Sequence, residues 1–492
     1  MAVFTYGADL PSFSSVHELY DLDNLELIDE GATQATFEVE NGYQIILIGT
    51  GFTYNSGVMT GGTVTGLNLL DDVGGDLLSV TGANFSVLEL IAEFEEQPDL
   101  WEFLKLLTSG NDTYHGNDNG TAISLSEDHG NDEVFCGDGG SYVAGSKGND
   151  KLHGGADWDT LSFEETYWRN DATLGIILNA AKGTVRDSWG NKDTFDGFEE
   201  YDGSKFNDRM TGSKRDESFM GLQGKDTIDG GKGWDDVRYQ KDEQTDGESG
   251  IIANLAKGFV IDGFGDKDKV SNIEGVLGTS DNDVFIGSKG DNEFRGLGGV
   301  DSFNGGKGQD GLLFRYWEDV GQTGVNVDLS LATGQIIDDG FGNTETTKSI
   351  EAVGGSELDD EIKLGKANGW AWGDDGDDRL EGGKGVQWFG GGEGEDRFVF
   401  ASLDTLGNGK AKRDQIDDFS QGEGDSIDLS GIGGLVFGGE GALTGVAGEL
   451  RYVIAGGKTI ISGDIDGNGK ADFQIQINQE VEFEAGDFVL TL

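Results

Sequence analysis

The stretch Gly221–Tyr239, GLQGKDTIDGGKGWDDVRY, contains one nine-residue unit twice in succession. The first copy has Asp226 followed two places later by Ile228, and the second has Asp235 followed by Val237. Glycines precede each aspartate, and glycine gives a turn backbone access to positive φ. A repeat this short predicts stacked coils, in which each unit supplies one turn and one short strand.

The same unit recurs in four runs, with a step of nine residues inside each run. Its aspartate position is occupied by Asp132, Ser141, Asp150, Asp159, Asp208, Glu217, Asp226, Asp235, Asp283, Asn292, Asp301, Asp310, Asp360, Gly369, Asp378, Gln387 and Asp396. The position two residues later is apolar in every copy, although only 35% of the chain is hydrophobic. Because the apolar residue persists where the aspartate is lost, we infer that core packing and ligand binding are separate requirements of the unit.

The charge of the chain is strongly negative. The sequence has 93 Asp and Glu against 34 Lys and Arg, which gives a formal net charge of -59. This charge excludes nucleic acid and anionic membrane surfaces as partners. Carboxylates crowded along one stack repel each other, so we expect a poorly folded apo-protein that divalent cations stabilise. Disorder is the alternative for a chain with 86 Gly, but disorder would not preserve the apolar phase.

Cysteine content and segment hydropathy restrict the compartment. Cys136 is the single cysteine, so no internal disulfide can form, and metal is the usual substitute in an extracellular protein. The start, MAVFTYGADL, lacks the basic and apolar regions of a cleavable signal peptide. Uninterrupted apolar stretches are too short for a membrane-spanning helix, so we expect no membrane span.

The pattern predicts three regions. Residues 1–108 read as a β-rich domain that ends in helices over Ser86–Leu107, and these helices would cap the first coil. Residues 109–400 hold four short stacks of coils, called rolls here, which are joined by three β inserts. The rolls span about 128–165, 203–240, 278–316 and 355–400, and residues 391–492 form a C-terminal β domain.

The inserts resemble one another. Asp208, Asp283 and Asp360 follow Asp132 at successive intervals of 76, 75 and 77 residues, which is a second and longer repeat. Each interval contains a turn-like segment, and these segments are Asp187-Ser-Trp-Gly190, Asp262-Gly-Phe-Gly265 and Asp339-Gly-Phe-Gly342. Such turns between short apolar runs predict β-hairpins inserted between the rolls.

The repeat offers the ligands that calcium prefers. Calcium takes six or more oxygens from carboxylates and backbone carbonyls. If two units make one coil, residues 18 apart stack on the same side, about 4.8 Å apart. The strong edge of the rolls then carries the pairs Asp132/Asp150, Asp208/Asp226, Asp283/Asp301, Asp360/Asp378 and Asp378/Asp396. The partial edge carries Ser141/Asp159, Glu217/Asp235, Asn292/Asp310 and Gly369/Gln387.

We therefore predict several calcium ions in the turns. The predicted carboxylate ligands are Asp132, Asp150, Asp159, Asp208, Asp226, Asp235, Asp283, Asp301, Asp310, Asp360, Asp378 and Asp396. The predicted carbonyl-bearing turn glycines are Gly148, Gly224, Gly233, Gly308, Gly376 and Gly394. The alternative is that these aspartates only form turns, with side chains that bond their own backbone.

Motifs for other chemistry are weak or missing. Asp464-x-Asp466-x-Asn468 resembles the start of an EF-hand loop, but Ile475 stands where that loop has Glu, so a structural turn and a single weak site both remain open. The sequence has neither His-Glu-x-x-His nor Gly-x-Ser-x-Gly, which argues against zincin proteases and α/β-hydrolase lipases. We predict no catalytic residue and no cofactor other than calcium.

The units GGKGWDDVR, GGKGQDGLL and GGEGEDRFV resemble the nonapeptide of the RTX (repeats-in-toxin, haemolysin-type) family over roughly residues 110–400. The resemblance implies a parallel β-roll, calcium in its turns and export by the type I secretion machinery. Residues 391–492 are similar to the C-terminal domain of serralysin-type proteases, in Asp414-Gln-Ile-Asp-Asp-Phe419, in the Asp-Gly-Asn-Gly loop before Phe473 and in the ending Asp487-Phe-Val-Leu. Thr491 and Leu492 extend beyond that ending, and the protease half of that family is missing.

Together these features predict an all-β protein of parallel rolls with inserted hairpins. We expect it to be secreted, extracellular and folded by calcium outside the cell. A non-enzymatic contact with a surface, matrix or polysaccharide is one hypothesis. The alternative is a secreted, polysaccharide-active enzyme with its site in the N-terminal domain or the inserts. Three similar inserts favour binding, since a catalytic site is seldom triplicated.

Overall fold

The computed structural model describes residues 2–6, 26–38, 42–56, 58–71, 74, 76–90, 110–125, 130–167, 171–245, 247–315, 321 and 323–491. Within these residues the protein is nearly all-β, as predicted, with short strands and a few 3-10 helices. The chain divides into two compact units, Met1–Val237 with Asp266–Asn272 and Arg238–Gly265 with Ile273–Leu492. The domain boundaries given above stay predictions. No helix of the described part has the length and apolar character that crossing a membrane requires.

The first unit begins with a mainly antiparallel sheet, in the strand order β2-β3-β4-β5-β6-β1. Its strands are β1 (Val3–Tyr6), β2 (Glu26–Glu30), β3 (Gln34–Glu38), β4 (Gln44–Asn55), β5 (Val58–Leu70) and β6 (Asp76–Ser86). Val64, Leu67 and Val80 are fully buried in it. Residues 87–90 are helical, and the rest of the helices predicted to Leu107 lies outside the described residues.

The rolls of the first unit are parallel coils of two strands each. Their strands are β7 (Thr113–His115), β8 (Ala122–Ser124), β9 (Glu133–Phe135), β10 (Tyr142–Ala144), β11 (Lys151–His153), β12 (Thr160–Ser162), β16 (Glu200–Asp202), β17 (Arg209–Thr211), β18 (Glu217–Met220), β19 (Thr227–Asp229) and β20 (Asp235–Arg238). Strand β1 pairs in parallel with β7, so the N-terminal sheet continues into the first roll. Lys151 lies opposite Glu133 and Thr160 opposite Tyr142. Within the runs each coil therefore spans 18 residues, as predicted, whereas the first coil, from β7 to β9 and from β8 to β10, spans 20.

The first insert is built into one face of its roll. It comprises β13 (Ile177–Asn179), the 3-10 helix Ala180–Lys182, β14 (Thr184–Arg186) and β15 (Lys192–Asp196). Strand β14 is antiparallel to both neighbours, while β15 stacks in parallel on β11 and β13 on β17. The hairpin predicted for this insert is confirmed. Its turn is held by Asp187, whose carboxylate accepts the backbone N–H of Gly190 at 2.6 Å and of Asn191 at 2.7 Å.

The second insert repeats this design. Strand β21 (Ile252–Asn254) leads through the 3-10 helix Leu255–Lys257 to the antiparallel β22 (Phe259–Ile261). Strand β21 also stacks in parallel on β25 of the next roll, Val284–Ile286. In the first unit, β23 (Lys267–Ser271) stacks in parallel on β19. The sequence similarity of the inserts is thus a similarity of strand pairing.

The rolls of the second unit follow the same rules. Their strands are β24 (Gly275–Leu277), β25 (Val284–Ile286), β26 (Glu293–Arg295), β27 (Ser302–Asn304), β28 (Gly311–Leu313), β32 (Ala352–Gly354), β33 (Glu361–Lys363), β34 (Gly369–Asp375), β35 (Arg379–Glu381), β36 (Gln387–Glu393) and β37 (Arg397–Val399). The third insert contributes β29 (Asn326–Asp328), β30 (Ile336–Asp338) and β31 (Thr346–Lys348). Here β30 is antiparallel to β29, and β31 continues the roll in parallel on β27.

The C-terminal strands extend the last roll and then fold over as a meander. They are β38 (Asp414–Ile416), β39 (Ser426–Asp428), β40 (Val436–Glu440), β41 (Glu449–Ile454), β42 (Thr459–Asp464), β43 (Phe473–Ile477) and β44 (Phe488–Val489). Strands β38 and β39 pair in parallel with β36 and β37, and β41, β42 and β43 are antiparallel neighbours. The remaining 3-10 helices are Glu164–Tyr167, Glu243–Thr245, Leu403–Thr405, Ser430–Ile432 and Ala485–Asp487.

The apolar position of the repeat forms the core of every roll. None of its residues is more than 3% exposed, and they are Val134, Val143, Leu152, Leu161, Met210, Phe219, Ile228, Val237, Phe285, Phe294, Phe303, Leu312, Ile362, Ala371, Leu380, Phe389 and Phe398. Phe285 and Phe303, one coil apart, stack with ring centroids 4.9 Å apart. Each large side chain buried this way contributes about 1.5–3 kcal/mol, so the core is one source of stability in the stacked coils, separate from whatever binds in the turns.

Candidate metal centre

The strong edge is a ladder of aspartates joined through the backbone. Asp378 accepts the backbone N–H of Asp360 at 2.8 Å, and Asp396 accepts that of Asp378 at 3.0 Å. The same bond joins the other pairs of the strong edge, Asp150 to Asp132 at 2.9 Å, Asp226 to Asp208 at 2.7 Å and Asp301 to Asp283 at 2.8 Å. The structure therefore brings together every pair that the 18-residue spacing predicted for this edge.

The partial edge has the same ladder with fewer carboxylates. Its bonds run from the N–H of Ser141 to Asp159 at 2.7 Å, of Glu217 to Asp235 at 3.0 Å and of Asn292 to Asp310 at 2.8 Å. Gly369 lies opposite Gln387 in the strand pairing, and the N–H of Gln387 donates to Asp414 at 2.9 Å. The backbone ladder thus forms on both edges, although only one edge carries an acid in nearly every coil.

The second carboxylate oxygen of four aspartates identifies where a cation fits. Oδ2 of Asp301, Asp310, Asp378 and Asp396 is buried and accepts no hydrogen bond from any described residue. A buried charged oxygen without a donor is costly unless a cation meets it. Carboxylate oxygen is also the donor that calcium prefers. These residues therefore fit a calcium ion, which would supply the positive charge that the protein does not.

The pKa values of these aspartates also indicate that a cation is required to keep them charged. Burial, followed by the nearby carboxylates of Glu345 and Asp283, raises the pKa of Asp301 to about 10. Burial likewise raises the pKa of Asp378 to about 8 and of Asp396 to about 7. A carboxyl group with such a pKa takes up a proton near neutral pH unless a cation displaces it.

The first aspartate of several rolls has both oxygens occupied. Asp360 Oδ2 accepts the N–H of Ser356 at 2.7 Å, and its Oδ1 accepts the N–H of Val325 at 2.6 Å and the Ser356 hydroxyl at 2.9 Å. The same arrangement holds for Asp208 with Ser204 and for Asp283 with Thr279. Turn formation accounts for these carboxylates, and their role as ligands stays a prediction.

The predicted glycines lie where only glycine fits. Their φ values are 151° at Gly148, 147° at Gly224, 134° at Gly233, 127° at Gly308, 123° at Gly376 and 138° at Gly394. A Cβ atom on Gly376 would lie 2.6 Å from the carbonyl carbon of Leu358 in the preceding coil. Positive φ and close stacking of turns therefore both require glycine here.

Carboxylates of the inserts continue the strong edge, and they were not among the residues predicted from the sequence. Asp193 accepts the N–H of Asp150 at 2.9 Å, and Asp268 accepts that of Asp226 at 2.9 Å. Glu345 does the same for the N–H of Asp301 at 2.8 Å. The signal was available, because each of these acids follows the first aspartate of its insert turn by six residues.

The EF-hand-like segment folds as a closed turn. Asp464 is buried and accepts the N–H groups of Gly467 at 2.8 Å and Gly469 at 2.8 Å. Ligand atoms of Asp464, Asp466 and Asp472 lie within 4.8 Å of one another, and Asp472 was not predicted. Asp472 Oδ2 accepts the N–H of Ile465 at 2.7 Å. Backbone donors therefore already engage this loop, as its interpretation as a structural turn requires.

Four segments of the chain match the model of a known repeat. The model of the RTX calcium-binding nonapeptide repeat matches residues 136–165, 211–239, 277–312 and 355–386. No curated protein matches the chain.

Three solved structures are similar to parts of the chain or to its length. The AlgE6R2 subunit of the Azotobacter vinelandii mannuronan C5-epimerase is 26% identical over 28% of this chain and 92% of that one, with a TM-score of 0.22. The AlgE6R3 subunit of that enzyme is 21% identical over 43% and 79%, with a TM-score of 0.20. Extracellular lipase LipA from Serratia marcescens is 12% identical over 97% and 87%, with a TM-score of 0.16. Such low TM-scores support no conclusion about this chain. The repeat model matches residues in each of the four rolls, so the chain carries RTX calcium-binding nonapeptide repeats in four copies.

Proposed function

We propose that the protein is secreted and that calcium, bound between successive turns of the strong edge, folds it outside the cell. The observation that carries this proposal is the row of buried Oδ2 atoms at Asp301, Asp378 and Asp396, for which the described residues provide no donor. Calcium would be held there by these carboxylates and by carbonyls of the glycine turns. Inside a cell, where free calcium is low, the same carboxylates would repel each other and keep the chain unfolded.

The role of the folded protein is a non-enzymatic contact with an extracellular surface, matrix or polysaccharide. Its support is the repetition of the inserts, which all add an antiparallel strand to a face of a roll. A surface that repeats along the protein suits a partner with a repeating structure, such as a polysaccharide. The serralysin-like C-terminal domain and export by type I secretion belong to this proposal and rest on the sequence resemblance.

Circular dichroism in the far ultraviolet tests the proposal directly. The full chain is expected to lose its strand signal in EDTA and to recover it when calcium is added in excess, because the metal offsets the repulsion between stacked carboxylates. Magnesium at the same concentration is the control, since it demands stricter geometry and gives up its water reluctantly. An unchanged spectrum after chelation would refute the proposal.

A further inference from the structure

The partial edge of three rolls carries pairs of lysines at one turn position, three residues before the aspartate position of the repeat. Lysine occupies the same turn position in successive coils of three rolls, 18 residues apart, as Lys214/Lys232, Lys289/Lys307 and Lys366/Lys384. All six side chains are exposed. In a chain with a net charge of -59, basic residues are the minority among charged residues. The regular placement of these lysine pairs therefore calls for a physical reason.

The pair in the first unit is stacked by the backbone. The N–H of Lys232 donates to the carbonyl of Ser213 at 3.1 Å, which places the turn of Lys232 directly on that of Lys214. Successive parallel strands lie about 4.8 Å apart, and like charges at such a distance destabilise each other. Among the described residues neither ammonium group has an ion-pair partner. The fold therefore keeps together two cations that form no ion pair with an acid of the described part of the chain.

A cavity of about 750 Å³ opens beside this pair. Lys182, at the end of the 3-10 helix of the first insert, adds a third ammonium group to its lining. Phe195, Phe198 and Tyr201 also line it, and all are nearly buried. The volume falls within the range of small-molecule sites, which combine an apolar lining with a few convergent polar groups.

The acids of the lining are already engaged. Glu217 is buried and accepts the N–H of Ser213 at 2.6 Å, and Asp196 contacts His153 Nδ1 at 3.0 Å. Arg215 donates to Glu199 at 2.9 Å. Among the described residues, the three lysines are thus the charged side chains of the lining without a hydrogen-bond or ion-pair partner. They are point charges without the planar fork that arginine offers to a carboxylate.

We propose that this cavity binds a phosphate or sulfate ester of a sugar-sized molecule, with the ester between Lys182, Lys214 and Lys232. Point charges suit a tetrahedral oxyanion, which three ammonium groups can approach from different sides. Screening in physiological salt reduces the repulsion from the rest of the chain beyond about 8 Å. The inference rests on the proposed function, because it assigns a ligand class to a protein proposed to contact extracellular glycans.

Isothermal titration of the calcium-loaded full chain tests it, with glucose 6-phosphate, glucose 6-sulfate and uncharged glucose as probes. Both esters are expected to saturate a site, more weakly as sodium chloride rises, while glucose does not bind. The double variant Lys214→Gln/Lys232→Gln should lose its tightest site, with affinity lower by about tenfold or more, since two charge-assisted contacts are removed. Lys151→Gln/Lys192→Gln removes the same charge from exposed residues of the same unit that do not line the cavity, and it should bind as the parent does.

The possible results separate the two proposals. Far-UV spectra in calcium must first show that both variants are folded. Failure of the esters to saturate, equal binding of glucose, or equal losses in both double variants would overturn the cavity assignment and leave the calcium proposal standing. A chain that stays folded after chelation and still binds the esters would overturn the calcium proposal and keep the cavity.

Discussion

The two edges of the rolls share one backbone and differ in charge. On the strong edge Asp378 accepts an N–H from the preceding coil and leaves a buried oxygen without a donor. On the partial edge Asn292 donates its N–H to Asp310 in the same way, but its own side chain is satisfied, since its amide donates to the carbonyl of Glu274 at 3.1 Å. The hydrogen-bond ladder therefore joins the coils on both edges, while buried oxygens without a donor among the described residues lie at Asp301, Asp378 and Asp396 on the strong edge and at Asp310 on the partial edge.

The largest effect expected from this difference is the pH dependence of the metal-free protein. The pKa of Asp378 rises from 3.8 to about 8 on folding, and that of Asp396 to about 7. The folded state therefore holds more protons than the unfolded state, so the free energy of unfolding falls as pH rises between these values. In EDTA we expect a stronger strand signal at about pH 5 than at about pH 8, measured by far-UV circular dichroism.

Calcium should remove this dependence, because the bound ion replaces the protons. The control is therefore the same pH series in saturating calcium. There the strand signal should stay constant or grow with pH, because the carboxylates lose their protons and become free to bind calcium. Metal-free protein that is more stable at the alkaline end would contradict the raised pKa values.

The next effect is expected at a single rung of the strong edge. Asp378→Asn keeps a side-chain oxygen for the N–H of Asp360 but removes the charge. We expect calcium affinity to fall by about tenfold or more, since a buried charged ligand is lost, while the coil itself remains paired. Calcium titration followed by far-UV circular dichroism gives both quantities.

Asp359→Asn is the matched control for that variant. Asp359 is exposed, and its Oδ1 accepts the N–H of Asp377 at 2.9 Å, so the substitution removes one charge from an equivalent ladder outside the core. Calcium affinity should change little. Equal losses in the two variants would mean that overall charge, and not the buried position, governs binding.

A smaller effect is expected from backbone strain, which both edges share. Gly376→Ala places a Cβ atom at φ 123° and 2.6 Å from the carbonyl carbon of Leu358. A destabilisation of about 1–3 kcal/mol is expected from such strain, seen as a lower Tm in calcium. Gly290→Ala is the control, because its nearest atom would be the Ser288 hydroxyl oxygen at 3.8 Å. If Gly290→Ala lowered Tm as much as Gly376→Ala does, any substitution at this turn position would be destabilising, and strain at Gly376 would not be the cause.

The phase of the repeat made much of this architecture predictable. A step of nine residues fixes which residue faces the core, and Phe294 and Leu380 lie there as expected. It also fixes the 18-residue coil, because two turns and two strands close one winding. The hairpins of the inserts followed from turn chemistry at Asp187 and Gly190.

Other features depend on contacts that no local pattern encodes. The saturation of Asp360 needs Ser356 and the backbone of Val325, which lies 35 residues away. The place of β14 within a face of the roll depends on which strands meet after the insert folds back. The Lys214/Lys232 pair had a visible spacing, but the cavity beside it exists only because the first insert supplies the opposite wall.

The smallest effect, and the sharpest test of the comparison, is conversion of the partial edge into a strong one. Asn292→Asp would keep an oxygen for the N–H of Ser288, now accepted at 2.6 Å, and turn the other towards the carbonyl of Glu274. The second carboxylate oxygen, the carbonyl oxygen of Glu274 and Oδ2 of Asp310 would repel one another in the absence of metal. Together they would offer a bound cation three oxygen ligands. Calorimetric titration should therefore count one more calcium ion per chain, with Tm slightly lower in EDTA and slightly higher in calcium. An unchanged count would mean that a second carboxylate is insufficient, and that the turns of the strong edge supply ligands which the partial edge lacks.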